Sequence, residues 1–405
     1  MEPFTAAALV ITFAFAMLLL WREGLLHSKR ALILAAVLTA AALASRAWLY
    51  PFESGDYLGF LQPWTEFFRK NGGFKALASF PGNYNPPYMY FLAAFSYFGI
   101  SELYLIKTLS VLFDVLLAWS CMKLLSVFTD SKPKMMAAFF VILYMPTVMT
   151  NGAYWAQCDS IYTFFAIYAL YLGLRGKGAG SMISLAASLA FKLQAVFIIP
   201  AFFVLLLGRR IKWQHLLVFP AAYVVFMLPA AAAGKPLLDT LTLYVSQAGT
   251  VGDAMNYNAP SLTSMFSWSG DTAHCSMLLI LAAFVLVIAV YIAAIIYRRR
   301  LSDRVILGLT LVLAIGIPFM LPHMHDRYFY AAGMLTVVLA FSDVRFLAVP
   351  VFAELASLHC YYAYFSRHYL VQPRIGGEFM LFALLLCIAY TAVYIQKSRN
   401  FKITS

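Results

Sequence analysis

CSMLLILAAFVLVIAVYIAAIIYRRR, residues 275–300, decides the fold class: 275–297 carry no charged side chain, and Arg298, Arg299 and Arg300 close the run. A helix crossing a ~30 Å hydrocarbon core takes about 20 apolar residues, so this run is long enough to cross, and the arginines mark where it leaves the lipid. Working outward, runs of the same kind follow one another from Phe4 to Tyr394 with short polar breaks. Of the 405 residues, 63% are hydrophobic and 11% charged, against about 25% charged in an ordinary soluble domain. Most of the surface must face lipid. The expected architecture is all-α, a polytopic transmembrane helical bundle of about 11–13 spans with re-entrant or interfacial helices, forming one transmembrane domain over 1–405.

The net charge of +12 does not point to nucleic acid, because the basic residues sit in short clusters between apolar runs rather than on one amphipathic face. Short basic loops stay in the cytoplasm. The clusters run from Arg22 to Arg30, Lys123 to Lys134, Arg175 to Lys177, Arg209 to Lys212, Arg298 to Arg304, at Arg345, and from Lys397 to Lys402, and hold most of the 29 basic residues. With all of them inside, the C-terminus is cytoplasmic and helices fall at 4–21, 31–50, 103–126, 135–150, 159–174, 214–233, 275–297, 303–321, 328–342, 346–363 and 378–396. Residues 179–208 begin and end inside, which predicts two short helices meeting at Lys192-Leu193-Gln194. Parity leaves no crossing for 86–99, which is expected as a re-entrant or interfacial helix within a first outer loop of 51–99; a second large outer loop covers 235–273. Met1-Glu2-Pro3 lacks the positive n-region of a cleavable signal, so the first run is expected to be retained. The five cysteines show no metal-binding spacing and read as small hydrophobes.

That assignment used only Lys and Arg, yet the remaining unusual polar residues gather on the outer side. They are Asp56, Asn83-Tyr84-Asn85-Pro86-Pro87, Asn151 to Ser160, Lys192 and Gln194, Asn256 to Asn258, and His323 to Arg327. Asp56, in Glu53-Ser54-Gly55-Asp56-Tyr57 at a membrane exit, is a candidate general base whose pKa partial burial would raise, or else a solvated loop acid. Trp155 and Gln157 form a polar and aromatic wall suited to a sugar, while Asp159 begins a helix, where a carboxylate caps free N–H groups. Lys192 interrupts the apolar run from Ala186 to Phe203. An ionisable residue at membrane depth is a functional candidate, and its three donors suit a lipid phosphate; the bland alternative is a lysine snorkelling from a helix end. In Pro322-His323-Met324-His325-Asp326-Arg327-Tyr328 the Arg327 fork suits phosphate oxygens, and His323 and His325 can donate hydrogen bonds to the same anion. A zinc site wants further protein ligands with a clear source, and no metal is expected. Asp114 and Glu354 lie within spans and read as structural acids with partners on other helices. No P-loop, GxSxG, HExxH or GxGxxG occurs, which argues against nucleotide-driven transport and soluble-type hydrolysis.

Taken in order, Gly55-Asp56-Tyr57, Asn83-Tyr84-Asn85-Pro86-Pro87-Tyr88, Trp155-Ala156-Gln157-Cys158-Asp159-Ser160, Phe191-Lys192-Leu193-Gln194-Ala195 and His323-Met324-His325-Asp326-Arg327-Tyr328 resemble the GT-C class of integral membrane glycosyltransferases. The likeness is nearest to the bacterial branch related to the GPI mannosyltransferases, and more distant to the glucosyltransferases that extend dolichol-linked glycans. The latter carry Asp-Tyr-Glu where this chain has Asp56-Tyr57-Leu58, and His-x-His-Glu-Lys where it has His323-Met324-His325-Asp326-Arg327. The resemblance implies a polyprenyl-phosphate sugar as donor, a lipid-linked or cell-surface glycan as acceptor, and inverting hexose transfer on the outer face of the plasma membrane without a cofactor. It also implies that Asp56 is the catalytic base and that Lys192, His323, His325 and Arg327 surround the donor phosphate. Trp155, Gln157, Asp159, Gln194, Tyr84 and Asn85 would then line the sugar and acceptor site.

Two other classes compete. A secondary transporter also uses broken helices and intramembrane charges, but it predicts an inverted repeat, and the broken pair at Lys192 has no counterpart in the second half. A membrane O-acyltransferase using His323 or His325 leaves Asp56 and Lys192 without a role.

Overall fold

The computed structural model describes residues 3–248, 252–268 and 271–400. Its first half runs α1 (Pro3–Arg22), α2 (Lys29–Leu49), α3 (Gln62–Lys70), α4 (Pro86–Phe95), α5 (Glu102–Leu125), α6 (Lys132–Tyr144), α7 (Pro146–Met149), α8 (Asp159–Leu174), α9 (Gly178–Phe191) and α10 (Ile199–Leu207). The second half runs α11 (Val218–Ala232), α12 (Leu237–Ala248), β1 (Asn256–Tyr257), α13 (Thr272–Ile296), α14 (Asp303–Met320), β2 (Met324–His325), α15 (Tyr330–Ser342), α16 (Ala348–Ser366) and α17 (Pro373–Asn400). The all-α polytopic architecture is as expected, with one two-residue parallel ladder, Asn256 opposite Met324 and Tyr257 opposite His325, as the strand structure among the described residues.

Among the described residues eight helices are long and apolar enough to cross a bilayer, or nine if α6 and the segment from Pro146 count as one bent span. The bend of 49° falls inside the expected helix 135–150 because Pro146 pushes Met145 out of the helical region, to ψ 128°. Four further apolar helices, Asp159–Leu174, Gly178–Phe191, Leu193–Leu207 and Tyr330–Ser342, are shorter, and the count of 11–13 included them. They are mostly buried against neighbouring helices, Asp159–Leu174 against α5 and α9, Gly178–Phe191 against α8 and α11, and Leu193–Leu207 and Tyr330–Ser342 against α14; enclosed by protein, they need not match the full lipid thickness. The break at Lys192 lies where expected: α9 ends at Phe191, Lys192 is extended (φ −156°, ψ 137°), and Pro200 starts α10. The segment 235–273, expected as an outer loop, contains α12 and β1.

Both intramembrane acids have partners on other elements. Asp114 on α5 takes a 2.9 Å ion pair from Arg46 on α2, both side chains fully buried, and Glu354 on α16 accepts from the Thr147 N–H and hydroxyl at 2.9 and 2.8 Å, closing the start of α7. The basic loops converge at one end of the bundle: Lys123 and Lys132 both reach Glu23, Arg175 reaches the Ser126 carbonyl, and Arg304 reaches those of Phe128 and Ser342. From that end α2 runs 21 residues, about 30 Å, to the segment that holds Asp56. α5 and α8 run back the other way, and α14 leads out again toward His323 to Arg327. The basic clusters and the expected site therefore occupy opposite ends of the same helices.

Candidate functional site at the end of α2

The segment after α2 is held by a buried lysine. Lys107 on α5 donates to the carbonyls of Leu49, Tyr50 and Phe52 at 3.3, 2.9 and 2.6 Å, satisfying helix-end acceptors that have no intrahelical partner. Lys107→Met is expected to destabilise the protein by about 1–3 kcal/mol, the cost of buried carbonyls left without a donor. A lowered midpoint of thermal unfolding in detergent checks this; an unchanged midpoint contradicts it. Next along the chain, the Ser54 hydroxyl donates to the Trp155 carbonyl at 2.7 Å and accepts from the Tyr57 N–H at 3.1 Å, which ties the segment to the 150–159 turn and sets Asp56.

Four donors converge on Asp56. Its Oδ2 accepts from Gln157 Nε2 at 2.6 Å, Arg327 Nη1 at 2.7 Å and Trp155 Nε1 at 3.0 Å, and its Oδ1 accepts from the Tyr364 hydroxyl at 2.9 Å. Oδ1 thus retains a lone pair. Burial pushes this carboxyl up, but the Arg327 guanidinium and the hydrogen bonds from Arg327, Tyr364 and Trp155 outweigh it and hold Asp56 below its ordinary value. Asp56 is a carboxylate at neutral pH.

The 150–159 turn supplies two of those donors. Ala156 adopts φ +65°, a left-handed conformation costing roughly 1–2 kcal/mol in an L-residue, and the turn closes through Trp155, Ala156 and Gln157 N–H groups on the carbonyls of Thr150, Gly152 and Asn151. Asp159 follows, fully buried. It does not cap α8: its Oδ1 takes Lys192 Nζ at 2.6 Å and its Oδ2 takes Asn151 Nδ2 at 2.7 Å. The Lys192 side chain is 7% exposed, so it does not snorkel. Its second contact, to Gln157 Oε1 at 3.5 Å, links it through one amide to Asp56.

Arg327 is the hub. Beyond its bond to Asp56, its Nε lies 3.8 Å from Asp159 Oδ2 and 4.0 Å from Asp326 Oδ1, and is buried without a hydrogen-bond partner; the guanidinium stands 4.7 Å over the Trp155 ring. Burial disfavours its charge, and Asp326, Asp159 and Asp56 more than compensate, raising its pKa. Burial raises Asp326 to about 6 against the lowering pull of Arg327 and Asn258. A carboxyl protonated in the folded state up to about 6, but only up to its ordinary value when unfolded, makes stability fall as pH rises through that window. Asp326→Asn is expected to flatten the decline of the unfolding midpoint between about pH 4 and 6; an identical pH slope in the variant contradicts the assignment.

The two histidines differ. His325 lies at β2, stacked on Tyr257 with centroids 4.8 Å apart, and burial and then Arg327 push its pKa down to about 4, so its imidazole is neutral. His323 sits at φ +61°, with Nδ1 2.7 Å from the Ala254 carbonyl and Nε2 3.3 Å from the Ser276 hydroxyl. The carbonyl can only accept, so Nδ1 donates, and the other ring nitrogen is already paired with the Ser276 hydroxyl.

Two cavities meet at this network. One of about 510 Å³ is lined by Lys192, Gln194, Asn85, Tyr244, His323 and Tyr328, among others; the second, of about 630 Å³, by Asp56, Gln157, Trp64, Asn258, Asp326 and Tyr364. Phe60, Asn83, Tyr84, Tyr257, His325 and Arg327 line both. Behind the wall of the Lys192 cavity two buried acceptors, Asn85 Oδ1 and Gln194 Oε1, have no hydrogen-bond partner among the described residues. No group of three His, Cys, Asp or Glu side chains placed to hold a metal ion occurs among the described residues.

All the outer-loop candidates of the sequence thus come together, but not in the expected roles throughout. Trp155 and Asp159, expected on the sugar wall, line neither cavity: they stand behind it, Trp155 orienting Asp56 and Asp159 pairing Lys192. Gln157, Gln194, Tyr84 and Asn85 do line cavity walls. Tyr364 was not anticipated. Its signal was the aromatic run Tyr361, Tyr362, Tyr364, Phe365 at the end of a span, of which Tyr364 packs on Trp155 with centroids 4.2 Å apart. Arg46, fully buried and paired with Asp114, was likewise unread.

Comparison with curated proteins returns no match. The sequence profile of glycosyltransferase family 87 matches residues 83–322, a stretch that takes in Tyr84, Asn85, the 150–159 turn, Lys192 and Gln194 and leaves Asp56 and His323 to Arg327 outside. That stretch covers more than half of the chain, and this multi-pass membrane protein belongs to glycosyltransferase family 87.

Proposed function

We propose that the protein moves a hexose from a polyprenyl-phosphate sugar to a lipid-linked or cell-surface glycan, inverting the anomeric centre, with Asp56 as base on the extracytoplasmic face of the plasma membrane. One observation carries this reading: the guanidinium of Arg327 forms a wall common to a cavity that holds a buried ammonium, Lys192, and a cavity that holds a poised carboxylate, Asp56. An anionic leaving group in the first and a hydroxyl nucleophile in the second would meet across it.

The chemistry then follows from the groups. The acceptor hydroxyl gives its proton to the carboxylate of Asp56, at Oδ1, where a lone pair is free. Its oxygen bonds to C1 of the sugar as the bond from C1 to the phosphate oxygen breaks, and the electron pair leaves with polyprenyl phosphate. Lys192 and Arg327 stabilise the charge that develops on that phosphate. The side-chain amides of Asn85 and Gln194, residues of the Lys192 cavity wall, suit sugar hydroxyls. His325 is neutral and contributes a hydrogen bond at most, and His323 shapes the loop. In donor-bound protein Arg327 divides itself between phosphate and Asp56, and the carboxylate, partly released beside a new negative charge, becomes a stronger base. The extracytoplasmic placement rests on the site lying at the end opposite the basic loops.

The test is sugar transfer by purified protein in detergent, with labelled short-chain polyprenyl-phosphate hexoses offered alongside nucleotide sugars. Release of polyprenyl phosphate coupled to labelled product supports the reading. Turnover of nucleotide sugars alone contradicts the donor, and uptake into proteoliposomes without turnover favours a transporter.

A further inference from the structure

A third cavity, of about 630 Å³, opens beside the Asp56 chamber and touches it at one residue, Asn258. It has no lining residue in common with the Lys192 cavity. The partition is β1. Side chains alternate across a strand, and here Asn256 lines the third cavity, Tyr257 lines the other two, and Asn258 reaches both the third cavity and the Asp56 chamber. Asn258 is held in place: it sits at φ +65°, its Nδ2 donates to the Cys360 carbonyl at 2.7 Å and to Asp326 Oδ2 at 3.3 Å, and its Oδ1 accepts from the Tyr369 hydroxyl.

The lining of this groove has a particular chemistry. Phe266, 60% exposed, Trp268 and Tyr369 supply aromatic faces, Gln372 and Ser264 supply neutral polar groups and Asp253 a carboxylate, while the Asn256 amide is taken up by Ala259, Ser261 and Thr263. The Trp268 ring is fixed by its Nε1 on the Thr263 carbonyl at 2.7 Å. Among the described residues its one arginine, Arg374, is already paired with Glu378 at 2.9 Å, so they offer no basic cluster for a phosphate or nucleotide. Its size falls in the ~300–1,000 Å³ range of ligand sites, in which aromatic walls carry contact area and a few polar groups fix orientation. Aromatic faces with an amide, a hydroxyl and the Asp253 carboxylate, all able to bond sugar hydroxyls, fit an uncharged polyhydroxylated ligand.

We propose that this groove is an acceptor subsite: it holds the inner sugars of an oligosaccharide whose terminal hydroxyl passes Asn258 into the Asp56 chamber. The proposal rests on the transferase reading given above, and it narrows the acceptor to a glycan of at least two units. Donor and acceptor then approach Asp56 by separate cavities, the phosphate past Arg327 and the glycan past Asn258.

The experiment uses octyl glycosides of one, two or three mannose or glucose units, in the full-length protein in detergent. Binding is read by saturation-transfer NMR, and transfer by kcat/KM with a short-chain polyprenyl-phosphate hexose as donor. In wild type, affinity and kcat/KM are expected to rise at least tenfold from one unit to two or three for one of the two sugar series. In Phe266→Ala and Gln372→Ala, both at exposed positions where folding is not at stake, that gain shrinks below threefold, with the donor KM unmoved. Length-independent binding by wild type, or a gain that survives in both variants, overturns the groove. Length-dependent binding lost in the variants, but with no turnover of any donor, upholds the groove and overturns the transferase reading on its own.

Discussion

Asp56→Asn is expected to lower kcat for sugar transfer by about 10²–10⁴-fold, the usual contribution of a positioned general base, with donor affinity no weaker than in wild type. The substitution keeps the size of the side chain and an oxygen that can accept from Trp155, Gln157 and Arg327, so the network around it has no reason to collapse. It removes the negative charge against which Arg327 is paired, and a guanidinium freed of that partner binds phosphate at least as well. The measurement is the rate of polyprenyl phosphate release together with donor affinity, in the same preparation. A variant within tenfold of wild type in kcat would move the base to another residue.

The second large effect is expected at the pair behind the cavity wall. Lys192 and Asp159 lie 2.6 Å apart with side chains 7% and 0% exposed, and removing one partner of a buried pair typically costs about 3–5 kcal/mol because the other charge is left uncompensated. Lys192→Met leaves Asp159 with Asn151 and with Arg327 at 3.8 Å, and the unfolding midpoint drops accordingly. Asp159→Asn has the converse effect on Lys192. The double variant buries no lone charge, so its loss is smaller than the sum of the two, by a coupling of about 0.5–3 kcal/mol. Activity behaves differently. The double variant regains stability but not transfer, since the leaving phosphate has lost its ammonium. Thermal unfolding and turnover of the four proteins check both statements; additive losses of stability, or restored turnover in the double variant, contradict them.

Much of this was legible in the chain because lipid imposes a simple grammar. Apolar run length gives helices, and Lys and Arg clusters give their common end. Most of the unusual polar residues left over at the opposite end, from Asp56 to Arg327, line the cavities or stand directly behind them. The break at Lys192 was readable for the same reason, as an apolar stretch too long for one short helix and returning to the same side. What was not legible is which polar group faces which. Asp56 is held by residues 99, 101, 271 and 308 positions away, and no local pattern encodes such pairings. Asp159 illustrates the point: at the first position of a helix it reads as a cap, yet the chain brings Lys192 to it from 33 residues on, and a buried ammonium is a stronger partner than neutral backbone N–H groups. Trp155 read as part of a sugar wall; packing against Tyr361, Tyr364 and Phe365 buries it completely. The count of crossings was set by treating every apolar helix alike, whereas the short helices at the centre are shielded by their neighbours.

The most direct test of the account is an electron cryo-microscopy structure of the Asp56→Asn protein trapped with an intact polyprenyl-phosphate hexose. The account predicts the phosphate in the Lys192 cavity, with an oxygen within about 2.7–3.2 Å of Lys192 Nζ or an Arg327 nitrogen. It also predicts the sugar's C1 turned toward residue 56. A phosphate bound elsewhere, or a hexose whose C1 faces away from the Asp56 chamber, would contradict it.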